Sequence, residues 1–129
     1  MTMTLAELLA PMAPEQFFAE YHDRQPLHLK GTAAKFAQVL SWRQINRLLD
    51  QTHVWSSHSL KLVLDGTPIA PEQYCTRAVG RDANEQLMQP IASRMQEWVK
   101  KGASVVMNDV DSLTPGLAAV SHAIESAGL

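Results

Sequence analysis

Cysteine is almost missing from this chain. Cys75 stands alone among 129 residues, so no internal disulfide can form, and a reduced, cytoplasmic setting is the simplest inference. Charge of one sign is also lacking: 11 Lys and Arg against 13 Asp and Glu leave a net −2, without the basic face that nucleic acid requires. No window has the length and apolarity of a membrane span. The N-terminal MTMTLAELLAPMAPE has no basic region and is interrupted by Glu7, which makes it a poor signal peptide. The last absence concerns chemistry. Two residues beyond His22, His28, His53, His58 and His122 stand Arg24, Lys30, Trp55, Leu60 and Ile124, so no His-x-Asp or His-x-Glu pair exists for a facial iron site. These absences imply a soluble, cytoplasmic protein with no nucleic-acid or membrane partner. They leave no residue to name as catalytic, cofactor-binding or metal-ligating.

What is present is an ordinary globular composition, 46% apolar and 19% charged, at a length that suits one domain over 1–129. Thr4-Leu5-Ala6-Glu7 has the capping-box form and opens a short helix that Pro11 ends. Pro14-Glu15 starts a second helix carrying Phe17, Phe18 and Tyr21. Gln25-Pro26 breaks it, because the residue before proline avoids the helical region. Leu27-His28-Leu29-Lys30 alternates apolar and polar, which predicts a half-buried strand closed by Gly31. Ala33 to Leu40 reads as helix. Ser41-Trp42-Arg43-Gln44 is a second capping box, followed by a helix with Trp42, Ile45, Leu48 and Leu49 on one face.

Ser59 to Leu64 predicts a strand with Leu60, Leu62 and Leu64 on one side, and Asp65-Gly66 a tight turn back into Thr67-Pro68-Ile69. Pro68 and Pro71 confine that return to an edge or make it irregular. Pro71 to Asn84 reads as loop with a short strand around Tyr74. Asn84 is the expected cap of the longest helix, whose apolar face is Leu87, Ile91, Met95, Trp98 and Val99. Pro90 inside it forces a kink or a late start.

Trp98 to Leu117, WVKKGASVVMNDVDSLTPGL, carries the densest signal. Lys100 and Lys101 suit the negative end of a helix dipole, and Gly102 can take the left-handed cap conformation. Ala103 to Met107 is apolar and β-branched enough for a strand. Thr114-Pro115 restarts a helix with the hydroxyl as N-cap and the proline at the first helical position. That helix runs to Ser126 with Leu117, Val120 and Ile124 inward and Gly128 as its stop.

The reactive side chains read blandly. His53 and His58 are five apart, which brings them together on neither a helix nor a strand. His122 and Glu125 form a solvated pair on a helix face, and His28 is a surface residue. Arg77 could lower the pKa of Cys75, but no base accompanies it, so a buried or half-buried inert thiol is expected. Asn108, Asp109 and Asp111 lack the Gly and distant Glu of a calcium loop and read as turn and cap residues. Gly80-Arg81-Asp82 reads as loop and not as a phosphate cradle.

In its order of elements, and in the form G-x-S-(V/L)-V-hydrophobic-N of the strand, the Trp98–Leu117 stretch resembles the region just before the metal site of cupin-like JmjC oxygenases. The bacterial type of that family includes ribosomal-protein hydroxylases. A second stretch, FFAEYHDRQPLHLKG over 17–31, is similar to the aromatic helix, basic residue near a proline and extended strand with which that family opens. Phe18, Tyr21, Arg24, Pro26, Leu27 and Leu29 fit that form. His22 stands where a Trp is common, and Gln25 where a Lys or Arg is more usual.

The resemblance implies a protein that holds Fe(II) with a His-x-Asp pair and a distant His, takes 2-oxoglutarate and oxygen, and hydroxylates a side chain of a protein substrate such as a ribosomal protein. On this reading the fold class is α+β. The chain is a helix-rich N-terminal region with a few short strands, around 27–30, 60–64 and 103–107. It is an incomplete portion of a double-stranded β-helix, inactive by itself because the metal-binding strands are absent. The reading frame is then expected to continue past Leu129 into a His-x-Asp or His-x-Glu pair. An unpaired edge at 103–107 would favour self-association. The alternative is a self-contained α+β interaction module without chemistry of its own.

Overall fold

The computed structural model describes residues 1–51, 54–77 and 88–129, and it is mixed α+β with small antiparallel sheets and no barrel among those residues. Two compact units are present: Trp42–Asp109, and the segments Met1–Ser41 and Val110–Leu129 together.

In the first of these, Leu60 and Leu62 alternate with Lys61 and are fully buried, which is the period of a strand with one face in a core. They lie on β1 (Leu60–Leu64). Asp65 and Gly66 follow with φ of 50° and 76°. A two-residue type I′ hairpin requires positive φ at both positions, so Asp-Gly turns the chain into β2 (Thr67–Pro68). The Ile69 N–H then donates to the Leu62 carbonyl at 2.9 Å.

A second ladder joins β3 (Cys75–Arg77) to β4 (Met88–Pro90), antiparallel, with Cys75 opposite Pro90. The Ile91 N–H donating to the Tyr74 carbonyl extends this ladder by one rung, and the Ser57 N–H donating to the Met88 carbonyl ties it to the segment before β1. Helix α3 (Trp42–Asp50) and helix α4 (Ala92–Lys100) complete this unit, together with β5 (Ser104–Met107), which pairs antiparallel to β1. The sheet order is β2–β1–β5. The core holds Trp55, Leu60, Leu62, Tyr74, Cys75 and Met95, and the Trp55 indole N–H is satisfied by the Leu48 carbonyl at 2.8 Å.

The exit from α4 is legible atom by atom. Gly102 has φ 99°, the Ala103 N–H donates to the Trp98 carbonyl and the Gly102 N–H to the Val99 carbonyl. That pair of bonds is a Schellman motif, and it aims the chain directly into β5.

The other unit contains α1 (Leu5–Leu9), α2 (Pro14–Glu20) and α5 (Pro115–Ser126). The Thr4 capping box is formed in both directions, with the Glu7 N–H donating to Thr4 Oγ1 and the Thr4 N–H to Glu7 Oε2. Thr114 caps α5 by accepting from the Leu117 N–H, and its hydroxyl donates to the Val39 carbonyl. Gly128, at φ 77°, closes the helix with a second Schellman pair, Leu129 N–H to Ile124 and Gly128 N–H to Glu125.

Several expectations are corrected. Residues 27–30 carry no regular structure: Leu27 and Leu29 are less exposed than His28 and Lys30, but no neighbouring strand among the described residues supplies a ladder, so they form no β-strand. Residues 33–39 are successive turns whose bonds span three residues, Lys35 to Thr32, Ala37 to Ala34 and Val39 to Phe36, and not an α-helix. Helix α2 ends at Glu20, five residues before Gln25. The late start that Pro90 allowed for α4 is, by contrast, what is found: the helix begins at Ala92, because Pro90 keeps the preceding residue extended and that stretch becomes β4. Trp42, placed on the inner face of α3, is 80% exposed. The buried face of α5 is Gly116, Ala119 and Ala123, while Leu117 and Val120 are half-buried and Ile124 is exposed. The expected roles of His53, Gly80-Arg81-Asp82, Asn84 and Leu87 fall outside the described residues.

Candidate interaction surface

In the Trp42–Asp109 unit, the register of β1 and β5 decides which groups of β5 remain available. Leu62 directs its backbone toward β2, as the Ile69 bond shows, so its neighbours Lys61 and Val63 face β5, opposite Val106 and Ser104. The Asn108 N–H donating to the Ser59 carbonyl at 2.8 Å continues the same phase. The N–H and C=O groups of Val105 and Met107 therefore point away from β1. No strand lies beyond them among the described residues.

Side chains alternate along the same edge. Val105 is opposite Leu62 and turns to the helical side, where Leu49, Met95 and Val99 join it around a groove of about 360 Å³ with Asp50 and Lys100 in its lining. Val106 is opposite Lys61 on the solvent side and is 41% exposed. Val99 on α4 is 47% exposed. Strand β5 thus offers an apolar groove on one face, an exposed valine on the other and, between them, backbone groups with no strand partner among the described residues. Backbone pairing and alternating pockets are what an added strand supplies, so the geometry suits chain in extended form. The sequence singled out Leu49, Met95, Val99 and the 103–107 strand separately. Their convergence depends on how α3 and α4 pack, which periodicity does not encode.

The remaining candidates do not assemble into chemistry. Cys75 is 3% exposed, and burial, helped by the charge of Glu72, pushes its thiol up to about 11, so Arg77 does not activate it. Burial also raises the pKa of Tyr74, against a backbone hydrogen bond at Leu62 that lowers it. His28 and His58 are exposed. His122 lies 3.4 Å from the Ser126 hydroxyl, while Glu125 accepts from Ser121, so the pair at 122 and 125 is divided between two serines. Asn108 donates from its amide nitrogen to the His58 carbonyl, and Asp109 takes φ 55°, both consistent with a turn.

Among the described residues no group of three His, Cys, Asp or Glu side chains could hold a metal ion. No donor set for the Fe(II) that the resemblance implies is gathered among those residues. No helix among the described residues is long and apolar enough to cross a membrane.

No protein family matches the chain, and neither a curated protein nor a solved structure does so.

Proposed function

We propose that the chain is the N-terminal portion of a cupin-like, JmjC-type oxygenase dependent on Fe(II) and 2-oxoglutarate. The intact enzyme hydroxylates a protein side chain in the cytoplasm, with a ribosomal protein as the substrate class. The chain by itself carries no catalytic residues. The observation that supports this reading is the form of residues 98–117: a helix closed by Gly102, an edge strand at 104–107, a turn at Asn108-Asp109 and a helix restarted at Thr114-Pro115.

The reading frame of the native gene tests it. A His-x-Asp or His-x-Glu pair is expected soon after codon 129, with a further His beyond, because iron needs three donors on one face and open positions opposite. Protein expressed from that longer frame is expected to release succinate from 2-oxoglutarate when Fe(II) is supplied. A stop directly after Leu129, or a long continuation without such a pair, overturns the oxygenase reading.

A second reading is favoured by the groove beside Val105: a binding module that captures extended peptide and has no chemistry of its own. It predicts a frame that ends without metal ligands, and partner binding that is lost when Val105 or Leu49 is enlarged.

A further inference from the structure

We infer that β5 is a self-recognition edge, and that a second copy of this chain pairs with it antiparallel about a two-fold axis at Val106. Three observations carry this inference beyond the oxygenase and peptide-binding readings.

The first is hydrogen-bonding phase. With Val106 opposite its own copy, Val105 lies opposite the copy's Met107 and Met107 opposite the copy's Val105. Those are the two residues whose N–H and C=O groups point away from β1. All four open groups of each strand are then used, as hydrogen-bonded pairs, and the two Val106 residues form the narrow pair between them. The six strands become one continuous sheet.

The second is the composition of this edge. Ser104-Val105-Val106-Met107 contains no charge and no proline, the devices that ordinarily keep an edge from pairing. Val106 is left exposed on the face where the narrow pair forms, and β-branched residues pair favourably there.

The third is charge complementarity, which selects both the partner and its direction. Lys100 and Lys101 precede the strand, and Asp109, followed in sequence by Asp111, succeeds it. In an antiparallel pair the basic end of each strand runs beside the acidic end of the other. In a parallel pair like charges would meet at both ends. The same sequence is therefore its own electrostatic complement only when two copies run in opposite directions.

The edge is short, so the association belongs to the weak class, with a dissociation constant of roughly 10–100 μM expected for so small an interface. Sedimentation equilibrium of the full 1–129 chain across that range is expected to show a monomer–dimer equilibrium. Amide exchange at Val105 and Met107 should slow as concentration rises. Val106→Lys places two ammonium groups at the closest pair and is expected to weaken the dimer by about tenfold or more, whereas Val106→Thr, also β-branched, retains it. Circular dichroism of both variants checks the fold.

Lys100→Glu combined with Lys101→Glu should also weaken the dimer, and added salt should reduce the difference between that variant and the parent chain. A folded parent chain that remains monomeric across the range overturns the inference. So does a dimer indifferent to Val106→Lys whose Val105 and Met107 amides exchange at a rate independent of concentration. Neither result bears on whether the reading frame continues into metal ligands.

Discussion

Gly116 and Thr114 show how single residues set the packing of α5. A Cβ at Gly116 would sit on the Val39 carbonyl oxygen and within contact of its Cα and carbonyl carbon, backbone atoms that cannot swing aside. Gly116→Ala is therefore expected to destabilise the protein by about 1–3 kcal/mol, the scale of overpacking in a close-packed interior. Gly31→Ala, whose new Cβ would meet only the flexible Lys35 side chain at 3.5 Å, should be near neutral. Thermal denaturation of the two variants side by side separates them. Thr114 is buried and makes two bonds, accepting from Leu117 and donating to Val39. Thr114→Ala should cost about 1–2 kcal/mol, and Thr114→Ser should recover most of that because it keeps the cap oxygen. Cys75 makes a pH prediction. Its folded pKa, about 11, is above the ordinary 9.0, so its contribution to stability is complete below pH 9 and is lost as pH rises toward 11. Alkylation of the native thiol at mildly alkaline pH should run roughly a hundredfold slower than in the unfolded chain. Equal rates in the two states would contradict the buried site.

At the scale of elements, the passage from α4 into β5 was readable because its signals are local. The lysines, the glycine and the β-branched run occupy adjacent positions, and each constrains the backbone by itself. Gly102→Ala tests this directly: φ 99° is a conformation that a side chain opposes, so a loss of about 1 kcal/mol is expected, measurable by urea denaturation. The Asp65-Gly66 hairpin and the alternation of Leu60 and Leu62 were readable for the same reason. The segment at 27–30 shows the limit. Its alternation correctly orders exposure along the chain, yet a strand also needs a partner, and no spacing within four residues reports whether one arrives. Helix α5 fails differently. Its large apolar residues drew the inward face toward Leu117, Val120 and Ile124, but close approach to the Val39 backbone requires small residues, so Gly116, Ala119 and Ala123 are the buried set. The β3–β4 ladder was hidden because Met88 to Pro90 looks like the start of a long helix until Pro90 is allowed to hold it extended. The groove was legible only as separate stripes, on α3, α4 and β5.

For the whole molecule, the question is what chemistry 129 residues can carry alone. An Fe(II) centre of the kind the resemblance implies needs two imidazoles and a carboxylate on one face. His22, His28 and His122 belong to the unit formed by residues 1–41 and 110–129, whereas His58 belongs to the unit formed by 42–109. Within the first unit, His22 packs against the rings of Phe17 and Phe18 with Asp23 3.5 Å away, and His122 contacts Ser126. The carboxylate beside His22 follows it directly, at position 23, not two residues on. Purified 1–129 is accordingly expected to bind Fe(II) no more tightly than a chain with His22, His58 and His122 all replaced by Gln, and to release no succinate from 2-oxoglutarate above a metal-free control. The comparison with the triple variant matters, because loose surface binding by exposed histidines could mimic a weak site in titration but cannot support turnover. Succinate release that disappears in the triple variant would show that the chain assembles a ligand set from these residues after all. That result would overturn both the fragment reading and the module reading at once.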